Sequence, residues 1–80
     1  MQNENKVVVY STPSCVYCKL AKKYFDEKGV KYVEKDVFTD LAARDEMTTK
    51  SGQMGVPVID INGKLIVGFD KGAINELLGL

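Results

Sequence analysis

A β-branched run that leads directly into an amphipathic helical pattern constrains the fold of this chain most strongly. Residues 6–10 read Lys-Val-Val-Val-Tyr, which is typical of a strand buried on both faces of a sheet. After a break at residues 11–14, residues 15–28 alternate an apolar stripe with a charged face at helical spacing. The predicted stripe consists of Tyr17, Leu20, Ala21, Tyr24 and Phe25. Such a strand and helix predict a right-handed βαβ crossover with parallel first and second strands.

The predicted first helix has signals at both ends. Ser14 is placed to cap its N-terminus, and Gly29 stands where a left-handed residue ends a helix. Residues 31–37 are rich in β-formers and predict the second strand. Because this segment also carries several charges, we expect it at an exposed edge of the sheet.

A second helix is predicted over residues 41–50, with Thr39 or Asp40 as its N-cap. Its apolar stripe is weak and consists of Leu41, Ala42 and Met47. The helix ends at Ser51-Gly52.

The last third of the chain predicts a hairpin and a final helix. Residues 58–61 and 64–67 are β-forming runs joined by Asn62-Gly63, a pair that tolerates the positive φ angles of a type I′ turn. Asp70 is placed to cap the last helix. Its core-facing stripe consists of Ala73, Ile74, Leu77 and Leu78.

This order of elements predicts an α/β fold, βαβαββα, in which a mixed four-stranded sheet is flanked by three helices. The arrangement resembles that of thioredoxin-like proteins. Eighty residues allow a single domain over residues 1–80, because a second core could not be built from so short a chain.

Composition narrows the function classes. Eleven Lys and Arg balance eleven Asp and Glu without a basic cluster, so neither nucleic acid nor anionic lipid is an expected partner. The longest apolar run is far shorter than the ~20 residues that span a bilayer. Residues 1–5 lack the layout of a signal peptide. We therefore expect a cytoplasmic monomer.

The chemistry is predicted at Cys15 and Cys18, which follow the first strand and open the amphipathic helix, the setting of a redox Cys-x-x-Cys motif. We expect Cys15 to be exposed to solvent, and Cys18, at the edge of the apolar stripe, to be shielded from it. The helix N-terminus, with Lys19 one turn on, should make Cys15 ionise more readily than a free cysteine of pKa ~8.5. A structural disulfide would close too small a loop, and a metal site within the chain would lack ligands, since there is no histidine and no third cysteine.

Three segments, residues 10–18, 55–59 and 67–70, resemble the glutaredoxin family in order and spacing. The resemblance implies that Cys15 attacks a disulfide, that Cys18 resolves the mixed disulfide, and that Val56 offers its backbone beside a cis Pro57. From the residues alone, an ordinary loop proline is the alternative at Pro57, because only ~5–6% of X-Pro bonds in folded proteins are cis. No metal and no bound prosthetic group are implied. The implied substrate groove comprises Thr12, Tyr17, Val56, Pro57, Gly68, Phe69 and Asp70.

The chain departs from the family pattern at three places. Val16 replaces the proline of Cys-Pro-Tyr-Cys, and Thr12 stands where the family has a glutathione-binding lysine. At residues 68–71 Gly-Phe-Asp-Lys replaces a glycine pair followed by a cysteine or serine and an aspartate. The Gly-Phe pair is more similar to redoxins associated with ribonucleotide reductase, which take electrons from thioredoxin reductase. Phe69 either fills the glutathione space or packs in the core, and Tyr17 either lines the groove or belongs to the core.

These observations predict a dithiol-disulfide oxidoreductase that reduces protein or low-molecular-weight disulfides by thiol-disulfide exchange. Glutathione or thioredoxin reductase would serve as its external reductant. Two alternatives use the same cysteines: a module that binds a metal or an iron–sulfur cluster between two chains, and a redox sensor without turnover.

Overall fold

The computed structural model describes residues 6–80, so the segment considered above for a signal peptide lies outside the described residues. The elements follow the predicted order βαβαββα. They are β1 Val7–Ser11, α1 Val16–Glu27, β2 Val33–Asp36, α2 Leu41–Ser51, β3 Val58–Ile61, β4 Lys64–Val67 and α3 Lys71–Leu78.

The sheet is mixed and has the strand order β2-β1-β3-β4. Strand β1 pairs parallel with β2 and antiparallel with β3, which in turn pairs antiparallel with β4. Both the parallel first pair and the edge position of β2 are confirmed. The hairpin is confirmed as well, with positive φ angles of 55° at Asn62 and 90° at Gly63, as a type I′ turn requires.

Side chains cover the sheet on both faces, because successive residues of a strand point to opposite sides. All five residues of β1 are buried. One face packs Val7, Val9, Ile59 and Ile61 against α1 and α3, and the other packs Val8, Tyr10 and Val58 against α2. Within residues 6–80, no helix combines the length and apolar character needed to cross a bilayer.

Helix α1 buries a narrower face than its pattern predicts. Its buried residues are Cys18, Ala21, Tyr24 and Phe25, whereas Tyr17 is 63% exposed and Leu20 is 42% exposed. Tyr17, Leu20 and Tyr24 form one line along the helix surface, at spacings of three and four residues. The ring of Phe69 packs edge-on against Tyr24, with ring centroids 6.0 Å apart. We attribute the burial of Tyr24 to this cover and to its hydrogen bond with Asn75 on α3.

Helix α2 also presents a different face from the one predicted. Ala43 and Met47 are buried one turn apart, while Leu41 is 58% exposed and Ala42 is exposed. The prediction was wrong for Leu41 and Ala42, because these residues lie about 200° and about 100° around the helix from Ala43. The predicted cap at Asp40 is confirmed, since its carboxylate accepts the N–H of Ala43 at 3.1 Å.

A polar network joins α2 to the face of the sheet that α2 covers. The Tyr10 hydroxyl donates to the Glu46 carboxylate at 2.7 Å, and the Lys35 ammonium lies 3.0 Å from the same carboxylate. Lys50 bridges Glu46 at 3.3 Å and Asp60 at 3.1 Å. The hydrogen bond from Tyr10, followed by that from Lys35, lowers the pKa of Glu46 to about 2.

Candidate active site

Cys15 is the N-cap of helix α1. Its sulfur accepts a hydrogen bond from the backbone N–H of Cys18 at 3.2 Å, and its own N–H donates to the Thr12 carbonyl at 3.3 Å. The prediction that Ser14 caps this helix was wrong by one residue. A sulfur at the N-cap takes the place that a hydroxyl or carboxylate oxygen usually has, at the positive end of the helix dipole.

Cys18 lies one turn further on and is completely buried beneath Cys15, as predicted. Both thiols are free, and Cys15 is half-buried rather than exposed as predicted, since its sulfur lies against the backbone of Cys18 and Val56. Burial raises the pKa of the Cys18 thiol to about 12, helped by its hydrogen bond with Cys15. A backbone hydrogen bond from Thr12 and the positive charge of Lys22 act in the opposite direction.

The loop before β3 lies beside the cysteines. The Val56–Pro57 peptide bond is cis, and the Cys15 thiol donates to the Val56 carbonyl at 3.8 Å. The N–H of Gly68 donates to the Pro57 carbonyl at 2.8 Å, which attaches the end of β4 to the same loop. Segments that are 41 residues apart in sequence therefore meet at the Cys15 sulfur.

Three further residues of the predicted groove have other surroundings. Tyr17 is mostly exposed, which excludes the core position that its helical spacing allowed. Phe69 is partly buried and packs against Tyr24 at the margin of the core. Asp70 caps α3, as predicted, by accepting the N–H of Ala73 at 3.2 Å.

Lys22 was not singled out in the sequence as a functional residue, because it belongs to the charged face of the helix. Lys22 follows Cys18 by one turn, and its ammonium lies 2.6 Å from the Glu34 carboxylate on β2. The hydroxyl of Ser11, which is 1% exposed, donates to the same oxygen of Glu34 at 2.9 Å. In the sequence, the signal for a role of Lys22 was its spacing of four residues from Cys18.

Metal ligands are sparse in this region. Over the part of the chain that the structure describes, no group of three or more His, Cys, Asp or Glu side chains is arranged to hold a metal ion. The site consists of two thiols, backbone amides and carbonyls, and the ion pair of Lys22 with Glu34.

Comparison with known proteins agrees with this geometry. A family model described as Glutaredoxin matches residues 7–66. The chain belongs to the glutaredoxin family. A glutaredoxin-like 8.6 kDa protein in the rubredoxin operon of Clostridium pasteurianum is 44% identical over 72 residues, which cover 90% of this chain and 96% of that protein.

Solved structures share the fold. A mutant of a thioredoxin-like protein matches with a TM-score of 0.88 and 31% identity, over 92% of this chain and 95% of that one. The complex of buckwheat glutaredoxin with glutathione matches with a TM-score of 0.74 and 32% identity, over 96% and 73% of the two chains.

These findings confirm the predicted family and the thioredoxin-like fold. Glutaredoxins are thiol-disulfide oxidoreductases that draw on an external thiol or reductase, and this chain is an enzyme of that class. None of the relatives named here is described as a redoxin of ribonucleotide reductase, so that closer affinity stays a prediction.

Proposed function

We propose that this glutaredoxin is a dithiol carrier in which Cys15 attacks the substrate disulfide and Cys18 resolves the mixed disulfide. The observation that carries this assignment is the N-cap position of Cys15, whose sulfur already accepts an amide hydrogen from Cys18. A helix N-terminus stabilises negative charge, which favours the nucleophilic thiolate. Cys18 is buried and out of reach of a protein substrate until Cys15 has bound one.

The exchange then proceeds in two balanced steps. The Cys15 thiolate attacks one sulfur of a substrate disulfide, so that a mixed disulfide forms and one substrate thiolate leaves. Cys18 loses its proton and attacks the Cys15 sulfur, which releases the second substrate thiolate and leaves a Cys15–Cys18 disulfide. Two electrons have passed to the substrate, and an external dithiol or two thiols restore the reduced enzyme.

The loop at Val56 is proposed as the backbone contact for the bound substrate. The Val56 carbonyl lies 3.8 Å from the Cys15 sulfur, so a peptide attached to Cys15 runs alongside this loop. Main-chain pairing of this kind depends little on substrate side chains and suits an enzyme that reduces several disulfides. Tyr17, exposed at the start of α1, adds an aromatic surface beside Cys15.

We further propose that a thioredoxin-reductase-type enzyme reduces this protein better than glutathione does. Thr12 is uncharged and cannot bind a glutathione carboxylate as a lysine would. The two lysines best able to replace it are engaged elsewhere. Lys50 is paired with Glu46 and Asp60, and the Lys71 ammonium lies over the Tyr24 ring at 5.3 Å.

A coupled assay tests this function. Reduction of a protein disulfide is followed with catalytic amounts of the chain, either with glutathione and its reductase or with thioredoxin reductase. Sustained turnover that disappears in Cys15→Ser is the expected result, with the higher rate from thioredoxin reductase. Retained turnover in Cys15→Ser would refute the assignment, and a single stoichiometric reduction without turnover would indicate the sensor.

Two other predictions have independent tests. The cluster-binding alternative predicts an iron–sulfur absorption spectrum after anaerobic purification, whereas the proposed function predicts none.

The cytoplasmic location and the monomeric state stay predictions, which cell fractionation and sedimentation equilibrium would check.

A further inference from the structure

We propose that Lys22, held in place by Glu34, stabilises the thiolate of Cys18 in the resolving step and is therefore a positioning residue of the reaction. The inference rests on the proposed function, since it concerns the second of the two exchange steps. The inference gives the ion pair of Lys22 with Glu34 a role in the reaction, although neither residue belongs to the predicted substrate groove.

The geometry of α1 brings Lys22 to Cys18. Residues four apart lie on the same face of a helix, with Cβ atoms about 5–6 Å apart. Lys22 is only 23% exposed, so its ammonium is partly shielded from the water that screens surface charges. The charge reaches the thiol, since it lowers the pKa of Cys18 against the larger opposing effect of burial.

Two contacts restrain the ammonium. The Glu34 carboxylate binds it at 2.6 Å, and the Ser11 hydroxyl donates to the same Oε2 atom at 2.9 Å. Ser11 ends the strand that leads to the cysteines, and Glu34 lies on the neighbouring strand, paired with Val9. Together with Ser11, the pair therefore connects β1, β2 and α1.

The positive charge of Lys22 matters in the resolving step, in which Cys18 must ionise. Cys18 must lose its proton before it can attack the Cys15 sulfur of the mixed disulfide, and its burial opposes this ionisation. A positive charge nearby favours the thiolate form of Cys18. The proton passes to water or to the departing substrate thiolate, and Lys22 remains protonated throughout.

Other titratable groups also surround Cys18 and the ion pair. Cys15 faces Cys18, Tyr32 faces Lys22, and Asp36 faces Glu34. Asp26 acts on Tyr32. These residues stay in place when Lys22 is replaced, while the Glu34 carboxylate loses its cation, so Lys22→Gln reports the loss of the Lys22 charge together with the unpaired charge of Glu34.

Reaction of the reduced protein with the chromogenic disulfide 5,5′-dithiobis(2-nitrobenzoate) separates the two steps. A first thionitrobenzoate is released when Cys15 attacks, and a second is released when Cys18 resolves the mixed disulfide. Stopped-flow traces over a range of pH give both rates for the parent, Lys22→Gln, Lys22→Arg and Lys23→Gln. Lys23 is an exposed lysine on the same helix and controls for the loss of one charge.

In Lys22→Gln we expect the second phase to slow about threefold to tenfold at each pH, equivalent to a rise of about half to one unit in the pKa of Cys18. The first phase should be unchanged, and Lys22→Arg and Lys23→Gln should match the parent in both phases. A merely structural role would slow both phases together or neither. An unchanged second phase in Lys22→Gln, or an equal loss in Lys22→Arg, would overturn the inference.

The same traces distinguish this inference from the proposed function. If the parent gave no second phase, or if Cys18→Ser retained it, the two-step mechanism itself would be wrong. If Lys22→Gln did not fold, Lys22→Met, which keeps the aliphatic stem and removes the charge, would carry the test. Its second phase should slow as expected for Lys22→Gln, and an unchanged second phase would refute the inference.

Discussion

Alkylation of the reduced protein with iodoacetamide is expected to discriminate strongly between Cys15 and Cys18. The reagent attacks thiolates, and Cys18 has a pKa of about 12 because it is buried. At about pH 8 this leaves roughly one Cys18 in 10⁴ ionised, whereas a free cysteine of pKa ~8.5 is about one quarter ionised. Ionisation alone therefore predicts that Cys18 reacts on the order of 10³ times more slowly than a free thiol. Complete burial of Cys18 should slow its reaction further.

The assay is a time course of alkylation, quenched with excess thiol and read by mass spectrometry of the peptides that contain each cysteine. The rate at Cys18 should rise about tenfold per pH unit well below its pKa, and both cysteines should react alike in denaturant. Comparable rates at Cys15 and Cys18 in the folded protein would refute the reasoning, because they would require an accessible and readily ionised Cys18.

Three further predictions concern stability and the reductant. The pKa of Glu46 is lowered to about 2, so its contribution to stability is present above the unfolded value of 4.5 and is lost as the pH falls through about 2. Because Glu46 is 35% exposed, Glu46→Gln should lower the free energy of unfolding by only about 1 kcal/mol near neutral pH, as measured in urea, and an equal loss below about pH 2 would contradict this assignment. Met47→Ala should cost about 2–5 kcal/mol, whereas Leu41→Ala should stay within about 0.5 kcal/mol, and equal costs in urea would mean that the assigned face of α2 is wrong. Thr12→Lys should raise kcat/KM with glutathione about tenfold through one charge-assisted hydrogen bond, while Thr12→Gln should not, and a parent as active as Thr12→Lys would remove the argument from this position.

Elements that depend on short-range signals could be predicted from the sequence. The Asn62-Gly63 turn, the Asp40 and Asp70 caps and the β-branched strand β1 each follow from the conformational preferences of a few neighbouring residues. The two cysteines were found because their motif lies between a strand and a helix with clear boundaries, whereas the role of the loop at Val56 was implied by the resemblance to glutaredoxins.

Features that depend on the packing of distant elements could not be predicted in the same way. The exposure of Tyr17 and Leu20 follows from how α1 lies across the sheet, and the burial of Tyr24 is attributed to Phe69 and α3. The ion pair of Lys22 with Glu34 needs the parallel pairing of β1 with β2. No periodicity along a single element carries that information, because each partner is a polar residue on an otherwise ordinary charged surface.

The most direct test of the two-step mechanism is the fate of Cys18→Ser under excess disulfide substrate. The account predicts that Cys15 still attacks and that a stable mixed disulfide with the substrate accumulates, visible by mass spectrometry as one substrate thiol attached at Cys15. Cys15→Ser, the matched control, should form no such adduct, because its remaining thiol is buried. An adduct on Cys18 in the control, or rapid release of substrate without accumulation in Cys18→Ser, would contradict the assignment of Cys15 as nucleophile and Cys18 as resolving thiol.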